Sequence, residues 1–183
     1  MILIKVIFRQ FKCFWRECRS LSYVLRKFPS AAIEPRVMFK GDLSNLELGQ
    51  NVQIQSGTKF HLGGMDWCGF AGAIIIGDNS IISPNCLIYG CGPGGVHIGK
   101  RFDCGPNVFI FASRTDYSKD LNHHIFESVR IGDDVTIFAN VVISPGVVIG
   151  SGAVIAAGSV VINNIPENTF VGGIPATIIR KLH

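Results

Sequence analysis

The chain has 183 residues, 48% of them apolar and only 16% charged, where a typical globular domain carries about 25% charged residues. That length suits one domain with a full core, and no run of about 18 uncharged apolar residues is present to form a spanning helix. The net charge of +4 comes from one end: residues 1–30 hold seven basic side chains against Glu17 alone, a net of +6, so the rest of the chain is acidic and a nucleic-acid-binding body is excluded.

The first segment predicts a helix. Residues 4–28 place Ile4, Ile7, Phe8, Phe11, Phe14, Trp15, Cys18, Leu21, Leu25 and Phe28 on one side, and Lys5, Arg9, Lys12, Arg16 and Arg19 at spacings of four and three on another. Residues 1–30 therefore read as a basic amphipathic helical segment, and 31–183 as the body. Two roles fit residues 1–28: covering one end of the body, or contact with a membrane surface. Lys5, Arg9 and Lys12 interrupt the apolar stretch and no small-residue cleavage site follows, unlike a secretory signal. The six cysteines form no CxxC pair. Reduced thiols in a cytoplasmic protein, peripheral at the inner face of the plasma membrane if the helix meets lipid, are the expectation.

The body is periodic. In steps of six stand Ile131, Ile137, Ile143, Ile149, Ile155 and Val161, and four residues after each stand Val135, Val141, Val147, Ala153, Ser159 and Ile165. The phase recurs at Leu48, Ile54, Phe60; at Ile76, Ile82, Ile88; and at Ile98, Cys104, Ile110. Grouped in threes these make five sets, with breaks near 64–75, 91–97 and 113–130. A period of six does not match the 3.6 of a helix. It suits short extended segments joined by tight corners, where Gly, Asn or Asp tolerates the bend. Stacked coils would bury a column of aliphatics and leave open ends to be capped. Cys86 and Cys104 fall in inward phases and read as core. Val142, Val148 and Val154 are expected to face outward as a continuous apolar patch, unfavourable on a monomer.

The unit Ile131-Gly132-Asp133-Asp134-Val135-Thr136 and the tail Val171-Gly172-Gly173-Ile174-Pro175-Ala176-Thr177-Ile178-Ile179-Arg180-Lys181 resemble the hexapeptide-repeat acyltransferases, whose tails read like GNPAKVIRK. The resemblance covers roughly residues 46–183 and is closest to the sugar O-acetyltransferases of polysaccharide synthesis and the maltose or galactoside acetyltransferases. It implies an all-β solenoid, a left-handed parallel β-helix of about five coils with an N-terminal amphipathic helix and a short C-terminal tail. It also implies a homotrimer with clefts between subunits, acetyl-CoA as co-substrate, no metal, and a sugar or glycan acceptor. By position the cofactor residues would be Ala139 and Ala157 at corners, then Asn163, Thr177 and Arg180. Small corner residues admit a pantetheine, and an arginine offers a fork to phosphate. The family often has Lys or Arg where Thr177 stands.

The catalytic histidine of that family usually follows the third coil in a phrase such as SHDY. Here the phrase is Ser113-Arg114-Thr115-Asp116-Tyr117, with Thr115 at the histidine position. A threonine hydroxyl cannot act as a general base near neutral pH, whereas an imidazole with a pKa of about 6.5 can. His123 and His124 lie eight and nine residues on, and either is a candidate base; a solvated loop pair is the bland alternative. Asp116 is a third candidate, alternatively a turn residue or a partner that orients a histidine. His61 and His97 read as outward-facing, and His183 is terminal. The insert from Gly63 to Phe70 is apolar and aromatic, and would line an acceptor pocket or pack against another subunit. The turn from Cys91 to Gly95 lacks the Lys-Ser/Thr of a phosphate loop.

The leading expectation is transfer of an acetyl group from acetyl-CoA to a sugar hydroxyl in surface polysaccharide or glycan synthesis. An N-acetyltransferase acting on an amino sugar and a non-catalytic β-helix scaffold are the alternatives. A zinc lyase resembling the γ-carbonic anhydrases would need an H-x4-H pair, which His97, His123 and His124 do not provide.

Overall fold

The computed structural model describes residues 2–69, 71–119 and 122–182, with side chains from residue 11 onward except Cys13. The roles read for the side chains of Ile4, Lys5, Ile7, Phe8, Arg9 and Cys13, for Phe70, and for His183 lie outside the described residues. The body is a left-handed parallel β-helix with three faces. The first face stacks Ala32–Ile33, Gln53–Ile54, Ile81–Ile82, Asp103–Cys104, Thr136–Ile137, Val154–Ile155 and Thr169–Gly173 in parallel. The second stacks Met38–Gly41, Lys59–Leu62, Leu87–Tyr89, Phe109–Phe111, Val142–Ile143 and Val160–Val161. The third stacks Leu46–Leu48, Ile74–Ile76, Val96–Ile98, Val129–Ile131 and Val148–Ile149.

The two repeat positions form the core. Every residue at either position from Ile131 to Ile165 is buried, Ser159 included. Its hydroxyl is satisfied, donating to the Ala156 carbonyl at 2.6 Å and accepting from the Gly173 N–H at 3.2 Å. Cys86 and Cys104 lie within this interior, with Sγ atoms 3.9 Å apart. The corners need left-handed backbone, and short polar residues supply it: Asn79, Asn85, Asn107 and Asn140 all have φ between 57° and 61°. These side chains also stack, as where Asn107 Nδ2 donates to Asn140 Oδ1 at 3.1 Å.

All five sets read from the sequence are present, and two further strands, Ala32–Ile33 and Met38–Gly41, lie below the first of them. A short 3-10 turn at Leu43–Asn45 separates them from Leu46–Leu48, so that Ile33 and Phe39 fall outside the step of six that begins at Leu48. Helix α1 spans Ile2–Lys27 and stops before Phe28-Pro29, where the residue preceding a proline disfavours helical backbone. Val24 is buried against the first coil, Leu21 and Phe28 pack beside it, and Lys27 Nζ donates to the Leu46 carbonyl at 2.9 Å. At the other end Thr169–Gly173 turns back into the antiparallel strand Ala176–Lys181 and closes the first face.

The valines do not form the patch expected of them. Val142 lies on the second face, Val148 on the third and Val154 on the first. A step of six moves one face around a three-sided coil; only a step of one whole coil returns to the same face. The continuous outward apolar column is instead Leu87, Phe109, Val142 and Val160, in direct register on the second face.

Candidate active site

Every insertion into the repeat leaves by the same corner, between the second and third faces: the turn at 43–45, the loops after Leu62 and Tyr89, and the segment after Phe111. Coil stacking therefore piles the inserts on one another. The Gly92 N–H donates to the Ala71 carbonyl, and the Ala112 N–H to the Tyr89 carbonyl, both at 2.9 Å. The last insert is a β-hairpin in which Ser113–Thr115 pairs antiparallel with His124–Phe126.

That pairing sets Thr115 directly opposite His124. Cross-strand neighbours in such a ladder hold their Cβ atoms about 4.5–5.5 Å apart, so His124 reaches the place that Thr115 occupies in sequence. Trp67, from the loop after Leu62, sits at the centre of the cluster. Its ring centroid lies 4.8 Å from His124, 6.0 Å from Tyr89 and 6.0 Å from Phe126. Together Trp67, Tyr89, Phe111, Ser113, Arg114, Thr115 and His124 line an open cavity of about 460 Å³.

The other candidates are placed differently. His123 is exposed at the hairpin end, and its carbonyl accepts the Asp116 N–H at 2.8 Å. Asp116 shapes the turn: its Oδ1 accepts from the Ser118 hydroxyl at 2.6 Å and the Ser118 N–H at 3.2 Å, and Lys119 Nζ lies 3.9 Å from Oδ2. The Ser118 hydroxyl first, then its N–H and Lys119, hold this carboxyl below its ordinary pKa. His97 faces outward on the third face, in register with Ile75 and Arg130.

His61 lies one coil below the cavity, its ring 4.7 Å from that of Tyr89. Its Nδ1 is buried and has no hydrogen-bond partner among the described residues. Burial, then the charges of Lys40 and Lys59, push its pKa down. Beside it runs a smaller groove of about 230 Å³ between α1 and the second face, lined by Arg16, Ser20, Lys40 and Lys59 among others. Burial, then the neighbouring Cys91 thiol, pushes the Tyr89 phenol up to about 12, so it enters the cavity as a neutral donor. Cys68 and Cys91 are buried beneath this cluster. Among the described residues no three His, Cys, Asp or Glu side chains are grouped to hold a metal.

The bacterial transferase hexapeptide (six repeats) family matches residues 128–163. Comparison with curated proteins gives no match. Among solved structures, a hexapeptide-repeat-containing acetyltransferase from Vibrio cholerae is 31% identical, covering 77% of this chain and 77% of its own, with a TM-score of 0.66. The chain belongs to the hexapeptide-repeat acetyltransferases. A second structure of the Vibrio cholerae protein, with acetyl coenzyme A, aligns at 25% identity over 88% of this chain and 76% of that one, TM-score 0.53. Two others share the fold. A variant of AntD, an N-acyltransferase from Bacillus cereus in complex with dTDP-4-amino-4,6-dideoxyglucose and coenzyme A, is 20% identical over 84% of each chain, TM-score 0.73. A maltose O-acetyltransferase from Clostridium difficile 630 is 24% identical, covering 88% of this chain and 74% of its own, TM-score 0.54.

In this hexapeptide-repeat acetyltransferase the residues expected at the cofactor fall on more than one edge of the prism. Ala139 and Ala157 stack at the corner between the first and second faces, where the Gly158 N–H donates to the Ala139 carbonyl at 2.9 Å. Thr177 is paired with Gly172 just above that corner. Arg180 is exposed further along the same strand, its Cζ 5.8 Å from the Phe170 ring centroid. Asn163 is exposed at the opposite end of the second face, on the edge that carries the inserts. One edge thus bears His124 and Asn163, and another bears the small-residue corner.

The sequence reading missed Tyr89, Phe111 and Arg114 as cavity residues, and Phe126 as a ring stacked on Trp67. A signal for two of them was there: His61, Tyr89 and Phe111 each follow an inward residue, Phe60, Ile88 and Ile110, immediately before an insert. A large ring recurring at that outward phase marks a column on one edge.

Proposed function

We propose that the protein transfers an acetyl group from acetyl-CoA to a sugar hydroxyl, with His124 as general base and the aromatic cavity as acceptor site. The carrying observation is register: His124 stands opposite Thr115, the position where the resemblance expects a histidine. The lining suits a glycan, since the rings of Trp67, Tyr89 and Phe111 offer apolar faces to a pyranose while the exposed Arg114 offers donors at the rim. Free or lipid-linked glycans of surface polysaccharide synthesis are the acceptor class.

The chemistry follows from those groups. The imidazole takes the hydroxyl proton as the sugar oxygen attacks the thioester carbonyl, and backbone N–H groups stabilise the oxyanion. Collapse forms the ester, breaks the C–S bond, and returns the proton to the leaving thiolate. Ala139, Ala157, Asn163, Thr177 and Arg180 are the proposed cofactor contacts. Because the His124 edge and the Ala139–Ala157 corner are separate edges of one chain, a groove that includes both is made by two chains, which supports a homotrimer.

A second reading, N-acetylation of an amino sugar, is favoured by Thr115 itself, because an amine that arrives neutral needs less help from a base. One assay separates them: acetyl-CoA turnover with a hydroxyl-only sugar and with an amino sugar, for wild type and His124→Ala. Esterification that falls by ~10²–10⁴ in kcat, with folding intact, supports O-transfer through His124. Turnover of the amino sugar alone, little changed in the variant, supports the second reading.

A further inference from the structure

The arc of α1 that the first coil covers is narrower than its apolar arc. At 100° per residue the covered positions, Glu17, Ser20, Leu21 and Val24, form one stripe, and Phe28, just past the helix end, packs beside the same coil. Beside it the helix carries a second stripe that is exposed among the described residues: Phe14, Leu25, Phe11 and Trp15. Phe11, Phe14 and Trp15 are 60%, 61% and 55% exposed. Next around the cylinder come Arg26, Arg19, Lys12 and Arg16, all exposed. An aromatic stripe bordered by a cationic one, on a helix of 26 residues that is not long and apolar enough to cross a bilayer, is the composition of a helix lying in a membrane interface.

We propose that α1 docks the protein on an anionic bilayer surface, with Phe11, Phe14 and Trp15 in the headgroup–acyl boundary and Arg19 and Arg26 against lipid phosphates. Charge selects this occupant. The cationic excess of the chain is confined to residues 1–30, and polybasic segments are drawn to anionic leaflets within a screening length. The stripe facing the first coil, through Leu21 and Val24, is a different part of the cylinder, so capping the coil and touching lipid proceed together. This inference does not depend on which acceptor the enzyme uses.

The test is flotation of the full chain with phosphatidylcholine vesicles, with and without phosphatidylglycerol, at low and at high salt. The protein should float with the anionic vesicles at low salt and release near 1 M salt, where the screening length is about 3 Å. The Phe11→Ser, Phe14→Ser, Trp15→Ser triple variant should bind at least about tenfold more weakly, and so should Arg19→Glu with Arg26→Glu. None of these side chains is buried, and circular dichroism should report unchanged fold. Absence of flotation at low salt, or equal flotation of the triple variant, would overturn the proposal. So would a triple variant that falls to a smaller oligomer by light scattering, because the aromatic stripe would then be seating a second copy.

Discussion

At the scale of single residues, the choice of His124 as the proposed base turns on strand alternation. His123 and His124 are adjacent in sequence, and the sequence gives no reason to prefer either. Once the hairpin pairs, successive side chains leave it on opposite sides, and only His124 shares a cross-strand position with Thr115. His61 is the other informative residue, with a buried Nδ1 and a depressed pKa caused first by burial. The fold therefore favours the neutral ring. Its contribution to stability is full above about pH 6.5, where the unfolded chain is also unprotonated, and falls away as pH drops from there through the lower folded value. Melting temperature followed from about pH 7.5 to 5, with the other four histidines common to both proteins, should fall more for wild type than for His61→Gln. Parallel curves would contradict this reading of His61.

At the scale of elements, the repeat was legible because its signal is redundant: two inward positions per hexapeptide, repeated over many units. The strands Ala32–Ile33 and Met38–Gly41 were not, because the Leu43–Asn45 turn puts them out of phase with the set that begins at Leu48. The inserts were legible as interruptions, but their assembly into one site was not. That depends on every one leaving by the same corner, which appears only when three hexapeptides close a coil. Gly92 ties two inserts together: its φ is +100°, and a Cβ there would enter the Phe126 ring. Gly92→Ala should cost about 1–3 kcal/mol in stability and displace the hairpin. Thermal denaturation together with the KM for the acceptor would detect it, and an unchanged Tm and KM would mean the hairpin is anchored elsewhere. The terminal strand gives a separate prediction. Arg180, exposed over Phe170, should contact the nucleotide end of CoA, so Arg180→Ala should raise the KM for acetyl-CoA more than that for the acceptor. An unchanged KM for acetyl-CoA would reject that placement.

At the scale of the whole molecule, the aromatic cavity and the small-residue corner stand on two edges of a three-sided prism. A threefold arrangement about an axis parallel to the length of the prism would bring the His124 edge of one chain to the Ala139–Ala157 corner of the next, and would cover the Leu87, Phe109, Val142, Val160 column. It would also set three copies of α1 at the same end, where their weak lipid contacts would add as avidity. The crystal structure of the protein with CoA tests this most directly. The account predicts a trimer in which the CoA sulfur lies beside His124 of one chain while the pantetheine runs past Ala139 and Ala157 of its neighbour. A sulfur beside His61 or His97, or a CoA held wholly within one chain, would contradict it.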